Sequence, residues 1–160
     1  MAKYYTLRYP DPVIEQTKPT GGSVEVHDLH GKFELELNLK SAIVLAKHGY
    51  KVRLLPISDV PDQKNPDAFL VDEEIFVEFK HNTTPTISAI DGEIKRGKKQ
   101  SNHVLLHIMS SIEKGSLLQA IKSRVRRSEN IETIFLILED VLYRFSREEI
   151  DNNLIDNKIQ

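Results

Sequence analysis

Residues 65–80, Asn-Pro-Asp-Ala-Phe-Leu-Val-Asp-Glu-Glu-Ile-Phe-Val-Glu-Phe-Lys, constrain this chain more than any other stretch. They read as two short β-strands, 68–71 and 74–80, joined by an acidic turn at Asp72-Glu73 that lacks the glycine of a tight hairpin. Side chains alternate between the faces of a strand. Phe76, Glu78 and Lys80 therefore share one face, while Ile75, Val77 and Phe79 share the other. An apolar row anchors the strand and leaves an acid and a base side by side. Asp67 opens the first strand, ten residues before Glu78.

The 160 residues are enough for one domain with a core of its own. There is no cysteine, so disulfides and thiolate metal sites are excluded. No apolar segment near the N-terminus resembles a signal peptide and no 18-residue apolar run occurs, so membrane insertion is not expected and a cytoplasmic site of action is. Net charge is −2, so nucleic-acid binding would have to come from local basic faces. Oligomeric state is not legible.

Residues 1–22, with five prolines or glycines in 10–22 alone, read as an arm: a peripheral strand near 4–8, a turn at Pro10-Asp11, then a loop. Residues 24–27 read as a short strand. A helix is expected over 32–48, with Leu35, Leu39, Ala42, Ile43 and Ala46 as its apolar face and Gly49 as its stop. Strand 51–57 follows, then a polar loop, then the hairpin. A second helix should start at Thr84 or Ser88 and run to about Ser101, past a weak point at Gly97, with Ile87, Ile90 and Ile94 inward. Residues 104–109 are an apolar run with one histidine, as expected of a buried strand. Helix 116–127, strands 133–138 and 141–145 around Glu139-Asp140, and a terminal helix within 147–159 complete the order. The reading is an α/β fold, a mixed sheet flanked by helices with strands 104–109 and 133–138 at its centre.

A hairpin over 68–77 returns Asp67 and Glu78 to the same end of neighbouring strands. Two hard oxygen ligands suit Mg²⁺ or Mn²⁺, which keep several waters and take further ligands from phosphate. Such a cation lowers the pKa of a bound water and offsets charge developing on phosphorus. Lys80 could orient or deprotonate the attacking water or hold the scissile phosphate. Glu34, ahead of Glu36 on the first helix, is the first choice for a further carboxylate, although both also suit a helix N-terminus. An isolated Glu-x-Lys on a strand is often only a solvated ion pair.

The order helix, three strands, helix, strand, with Pro66-Asp67 and then Glu78-Phe79-Lys80, resembles the PD-(D/E)xK nuclease superfamily over residues 32–109. Within it the chain is most similar to the C-terminal nuclease toxin domains of contact-dependent growth-inhibition systems. That narrower likeness rests on Lys32-Phe33-Glu34-Leu35, Asn38, residues 45–52, Leu54-Leu55-Pro56, Asn65-Pro66-Asp67-Ala68, Glu78-Phe79-Lys80 and Lys99-Gln100. The resemblance implies a restriction-endonuclease-like αβββαβ core with a C-terminal αββα extension. It implies a divalent metal on Asp67, Glu78 and Glu34, a water-assisting Lys80, and Gln100 facing the site from the second helix. It further implies a DNA or RNA substrate, transfer RNA being common, and for a toxin a cognate immunity protein.

Lys95, Arg96, Lys98 and Lys99 make the second helix basic where substrate phosphate would lie; Lys122, Arg124, Arg126 and Arg127 are a second run. Either run could equally be a solvated face. Tryptophan is absent and no base-stacking platform is evident. The six histidines keep Zn²⁺ open, but His103 and His107 read as strand histidines rather than ligands, and either His27 or His30 could lie near the site. Two other classes stay in play. One is a metal-independent, barnase-like ribonuclease using Lys80 and His81. The other is a non-catalytic nucleic-acid-binding or immunity-type module on the same fold.

Overall fold

The computed structural model describes residues 4–9, 21–58 and 60–159; the Pro10-Asp11 turn lies outside them. The described elements are β1 (Tyr5–Tyr9), β2 (Ser23–His27), α1 (Leu35–Lys47), β3 (Lys51–Leu54), β4 (Ala68–Leu70), β5 (Ile75–Asn82), α2 (Ile87–Gly97), β6 (His103–Ile108), α3 (Lys114–Arg126), β7 (Thr133–Leu138), β8 (Val141–Ser146) and α4 (Arg147–Asp151). A 3₁₀ turn, Leu154–Asn157, follows α4 in place of a continuous terminal helix. The α/β expectation holds: a mixed sheet of eight strands, hydrogen-bonded in chain order, carries four helices. The expected order helix, three strands, helix, strand is α1-β3-β4-β5-α2-β6. The chain divides into two compact units, Met1–Val77 and Glu78–Gln160, and the division falls inside β5.

In the first unit β2 and β3 are parallel, joined through α1, and β1, β4 and the start of β5 pair antiparallel. Helix α1 begins three residues later than expected and its buried side is Asn38, Ser41, Ala42, Leu45 and Ala46. Leu39 and Ile43 are only half-buried. Two polar residues displaced them because buried Asn38 has work to do. Its Nδ2 donates to His30 Nε2 at 2.9 Å, while His30 Nδ1 bonds the Leu55 carbonyl at 2.6 Å. A carbonyl only accepts, so Nδ1 donates to Leu55. His30 is thereby a structural residue tying α1 to the chain after β3. Gly22 is forced by packing: a Cβ there would collide with the Ala46 carbonyl.

The hairpin turn differs from the expected two-residue Asp72-Glu73. Leu70 pairs with Ile75, so residues 71–74 form the connection, closed by Glu74 N–H to Leu70 O at 2.9 Å. Glu74 supplies the left-handed residue, φ 56°, that glycine would otherwise provide. The later hairpin is the tight kind: Glu139 (φ 51°) and Asp140 (φ 63°) both adopt positive φ between paired Leu138 and Val141.

In the second unit β5, β6 and β7 run parallel and β8 closes antiparallel, so β6 and β7 are interior strands. Their largely apolar sequences reflect burial on both faces. Val104, Leu106, Ile108, Ile134 and Leu136 pack with Ile90 and Ile94 of α2 and Leu117, Ile121 and Val125 of α3 in one core. Helix α2 starts at neither expected cap. Thr86 caps it, its hydroxyl accepting from Ala89 N at 3.1 Å. It ends at Gly97, where a Cβ would stand 3.0 Å from Val104. Gly97 is thus a packing contact, and Lys98, Lys99 and Gln100 fall in the turn beyond the helix.

Candidate active site

The second unit holds Glu78 and Lys80. The register sets Glu78 beside Val104, Lys80 beside Leu106 and Asn82 beside Ile108. Those β6 residues belong to the core under α2 and α3, so Glu78, Lys80 and Asn82 face the helices. Lys80 Nζ lies 3.2 Å from Glu78 Oε2, with the Glu78 side chain 8% exposed and that of Lys80 25% exposed. This is a sequestered ion pair, unlike the solvated strand pair that Glu-x-Lys usually denotes. Val77 and Phe79, the apolar row, are buried as expected.

Asn82 continues the row and was not among the expected site residues. It is fully buried. Its Nδ2 donates to the Thr84 carbonyl (2.9 Å) and to Glu93 Oε2 (3.0 Å) and Oε1 (3.3 Å), and its Oδ1 accepts from the Ser110 hydroxyl. Burial pushes the Glu93 carboxyl above its ordinary value, against the Asn82 hydrogen bond and the charges of Arg96 and Lys80. A second carboxylate therefore sits within electrostatic reach of Lys80. The available signal was Glu93's place on the inward side of α2, one residue before Ile94.

In the first unit Asp67 is half-buried, and its carbonyl accepts from Leu55 N at 2.9 Å. It immediately precedes Ala68, whose partner is Val77, the residue before Glu78. Glu34 and Glu36 are both exposed. Glu34 is the N-cap residue of α1 without a side-chain capping bond, and its carboxylate turns back over Gly31.

Lys95 and Arg96 are exposed on α2, as expected, and Lys99 is exposed in the turn after it. Gln100 is half-buried in that turn, not on the helix. His81 lies on the face of β5 opposite Lys80 and its ring centroid is 5.9 Å from that of His107. This parts the Lys80–His81 pair that a barnase-like mechanism requires. His103 lies 3.3 Å from Glu132; burial, with Arg144 nearby, holds its pKa below the ordinary value despite that acid. Among the described residues, no group of three or more Asp, Glu or His side chains is set as a ready-made metal shell. A carboxylate pair completed by water and phosphate is still the donor set Mg²⁺ accepts.

No family model and no curated protein sequence matches the chain. Among solved structures, it is similar to a chain of the CdiA-CT/CdiI toxin and immunity complex from Burkholderia pseudomallei. The TM-score is 0.54 at 18% identity, over 71% of this chain and 85% of that one. The likeness is one of fold, to a chain of a complex that holds both a toxin and its immunity protein.

Proposed function

We propose that this chain is a metal-dependent phosphodiesterase acting on nucleic acid, in the manner of a growth-inhibition toxin domain. The observation that carries the reading is the sequestered Lys80–Glu78 pair at 3.2 Å on the strand that pairs with β4 through Val77 and Ala68. Asp67 precedes Ala68 and Glu78 follows Val77 along the chain. Asp67 and Glu78 are the proposed ligands, with Glu34 the further carboxylate. When bound, Mg²⁺ or Mn²⁺ would supply charge neutralisation at the phosphate and a more acidic water.

The chain's own groups have separate tasks. Glu78, buried beside Lys80, keeps the ammonium aimed along the strand face. Lys80 holds the attacking water or a phosphate oxygen. Glu93, clamped by Asn82, acts on Lys80 through its field. Lys95, Arg96, Lys98 and Lys99 are the proposed phosphate contacts, and Gln100 a contact at the edge of the site. As a toxin it would act in the target-cell cytoplasm and be held inactive by a cognate immunity protein; no described helix is long and apolar enough to cross a membrane.

Incubating the pure protein with plasmid DNA, total RNA and transfer RNA, in Mg²⁺, Mn²⁺, Zn²⁺ or EDTA, tests the reading. Cleavage that needs a divalent cation supports it. Cleavage that persists in excess EDTA, or none in any condition, sinks it in favour of a metal-independent ribonuclease or a binding module.

A further inference from the structure

The basic run of α3 is not one solvated face. Arg124 is turned inward and buried, and its Nε and one terminal nitrogen grip both oxygens of Asp91 on α2 at 2.9 and 2.8 Å. Lys122, Arg126 and Arg127 instead line an open groove of about 780 Å³ along α3, floored by Leu118 and bordered by Ser123 and Asp156. The groove's charges are unevenly matched. Arg127 also donates to Asp91, at 2.8 Å, so two guanidinium groups share one carboxylate. Lys95, exposed on α2, adds its field to the same Asp91. Lys122 is matched by Asp156 at 2.9 Å. Arg126 donates to the neutral side-chain oxygen of Asn153 at 2.6 Å. Three lining cations thus face one lining carboxylate, Asp156, and Arg127 shares Asp91 with Arg124, in a protein whose net charge is −2.

We propose that this α3 groove binds the phosphodiester backbone of a nucleic-acid strand. The occupant's chemistry follows from what lines it. Guanidinium forks match phosphate oxygens, and Arg127 is already held by Asp91 and by Ser123, so little side-chain freedom is lost on binding. Lys122 and Arg126 stand one turn apart, about 6 Å along the axis, suited to successive phosphates. An open groove admits a polymer that continues past both ends. The inference rests on the nuclease reading for the identity of this polyanion.

The test is binding in EDTA, where cleavage plays no part, by fluorescence anisotropy between about 50 and 200 mM salt. Probes are labelled duplex DNA, transfer RNA and polyglutamate of matched charge. The protein is compared with the triple variant Lys122→Gln, Arg126→Gln, Arg127→Gln and with Arg126→Glu alone, an exposed site whose partner is neutral. The triple variant should bind polynucleotide at least tenfold more weakly. Its slope of log K against log salt should flatten by about 2 to 3 for duplex DNA, close to 0.9 per lost contact. Arg126→Glu should weaken binding with an unchanged melting temperature. The two nucleic-acid probes rank DNA against RNA. Wild-type affinity and slope in both variants, no polynucleotide binding by the wild type, or equal binding of polyglutamate would each overturn the proposal. Groove-dependent binding without cleavage in any metal would sink the nuclease reading and leave the groove standing; cleavage with unaltered binding in the variants would do the reverse.

Discussion

Asn82 holds Glu93 from the strand beneath it, its amide nitrogen 3.0 and 3.3 Å from the two carboxylate oxygens. Burial outweighs this hydrogen bond and the nearby Arg96 and Lys80, so the folded pKa of Glu93 is raised. A raised acid binds its proton more readily when folded than when unfolded. Stability is then greatest below the unfolded value and falls as pH rises through the folded one. Glu93→Gln, which keeps an oxygen for Asn82, should leave the melting temperature near wild type around pH 4 and above it at neutral pH. Thermal melts across that range check this. A variant less stable than wild type at pH 7 would mean that attraction to Lys80 and Arg96 wins.

Asp91 behaves in the opposite sense. The Arg124 hydrogen bond lowers its pKa most, with the charges of Arg124, Arg127 and Lys95 helping against a burial penalty. A lowered acid contributes stability above its unfolded value, near pH 4, and that contribution is lost as pH falls through the folded value. Arg124→Leu should lower stability at neutral pH by about 1.5–3 kcal/mol, the scale of hydrogen bonds to charged groups. The variant should also lose less than wild type on acidification below about pH 4, which denaturant titrations at two pH values would measure.

Gly22 presses against the backbone of Ala46 at the end of α1. Gly22→Ala should destabilise the protein by about 1–3 kcal/mol, as overpacking does. Gly21, with nothing within 4 Å of an added Cβ but φ +86°, should show only the smaller cost of a strained backbone. Chemical denaturation of both variants separates packing from conformation.

Much of this architecture is local in origin and therefore readable. Strands β6 and β7 announce themselves because both faces are apolar. Glu78 and Lys80 share a face because strands alternate. What escaped the reading was set by contacts distant in the chain. Asn38 is buried because His30 needs a donor, and no helical periodicity encodes that. Residue 97 is glycine because Val104 stands against it, and the helix ends there, which leaves Gln100 in a turn. Arg124 looked like its solvated neighbours until Asp91, thirty-three residues earlier, gave it a buried partner. The Glu78–Lys80 pair was legible as a motif, but its sequestration and its neighbour Glu93 belong to the packing of α2 on β5.

The central claim is that the Glu78–Lys80 pair does hydrolytic chemistry. Its most direct test is the cleavage rate of Glu78→Gln and Lys80→Ala on the nucleic acid that the wild type cuts, with Mg²⁺ or Mn²⁺ and with melting temperatures recorded alongside. Both variants are predicted to lose at least about a hundredfold in rate, the lower end of what positioned acid–base groups contribute, while remaining folded. Folded variants that cut at the wild-type rate would contradict the account.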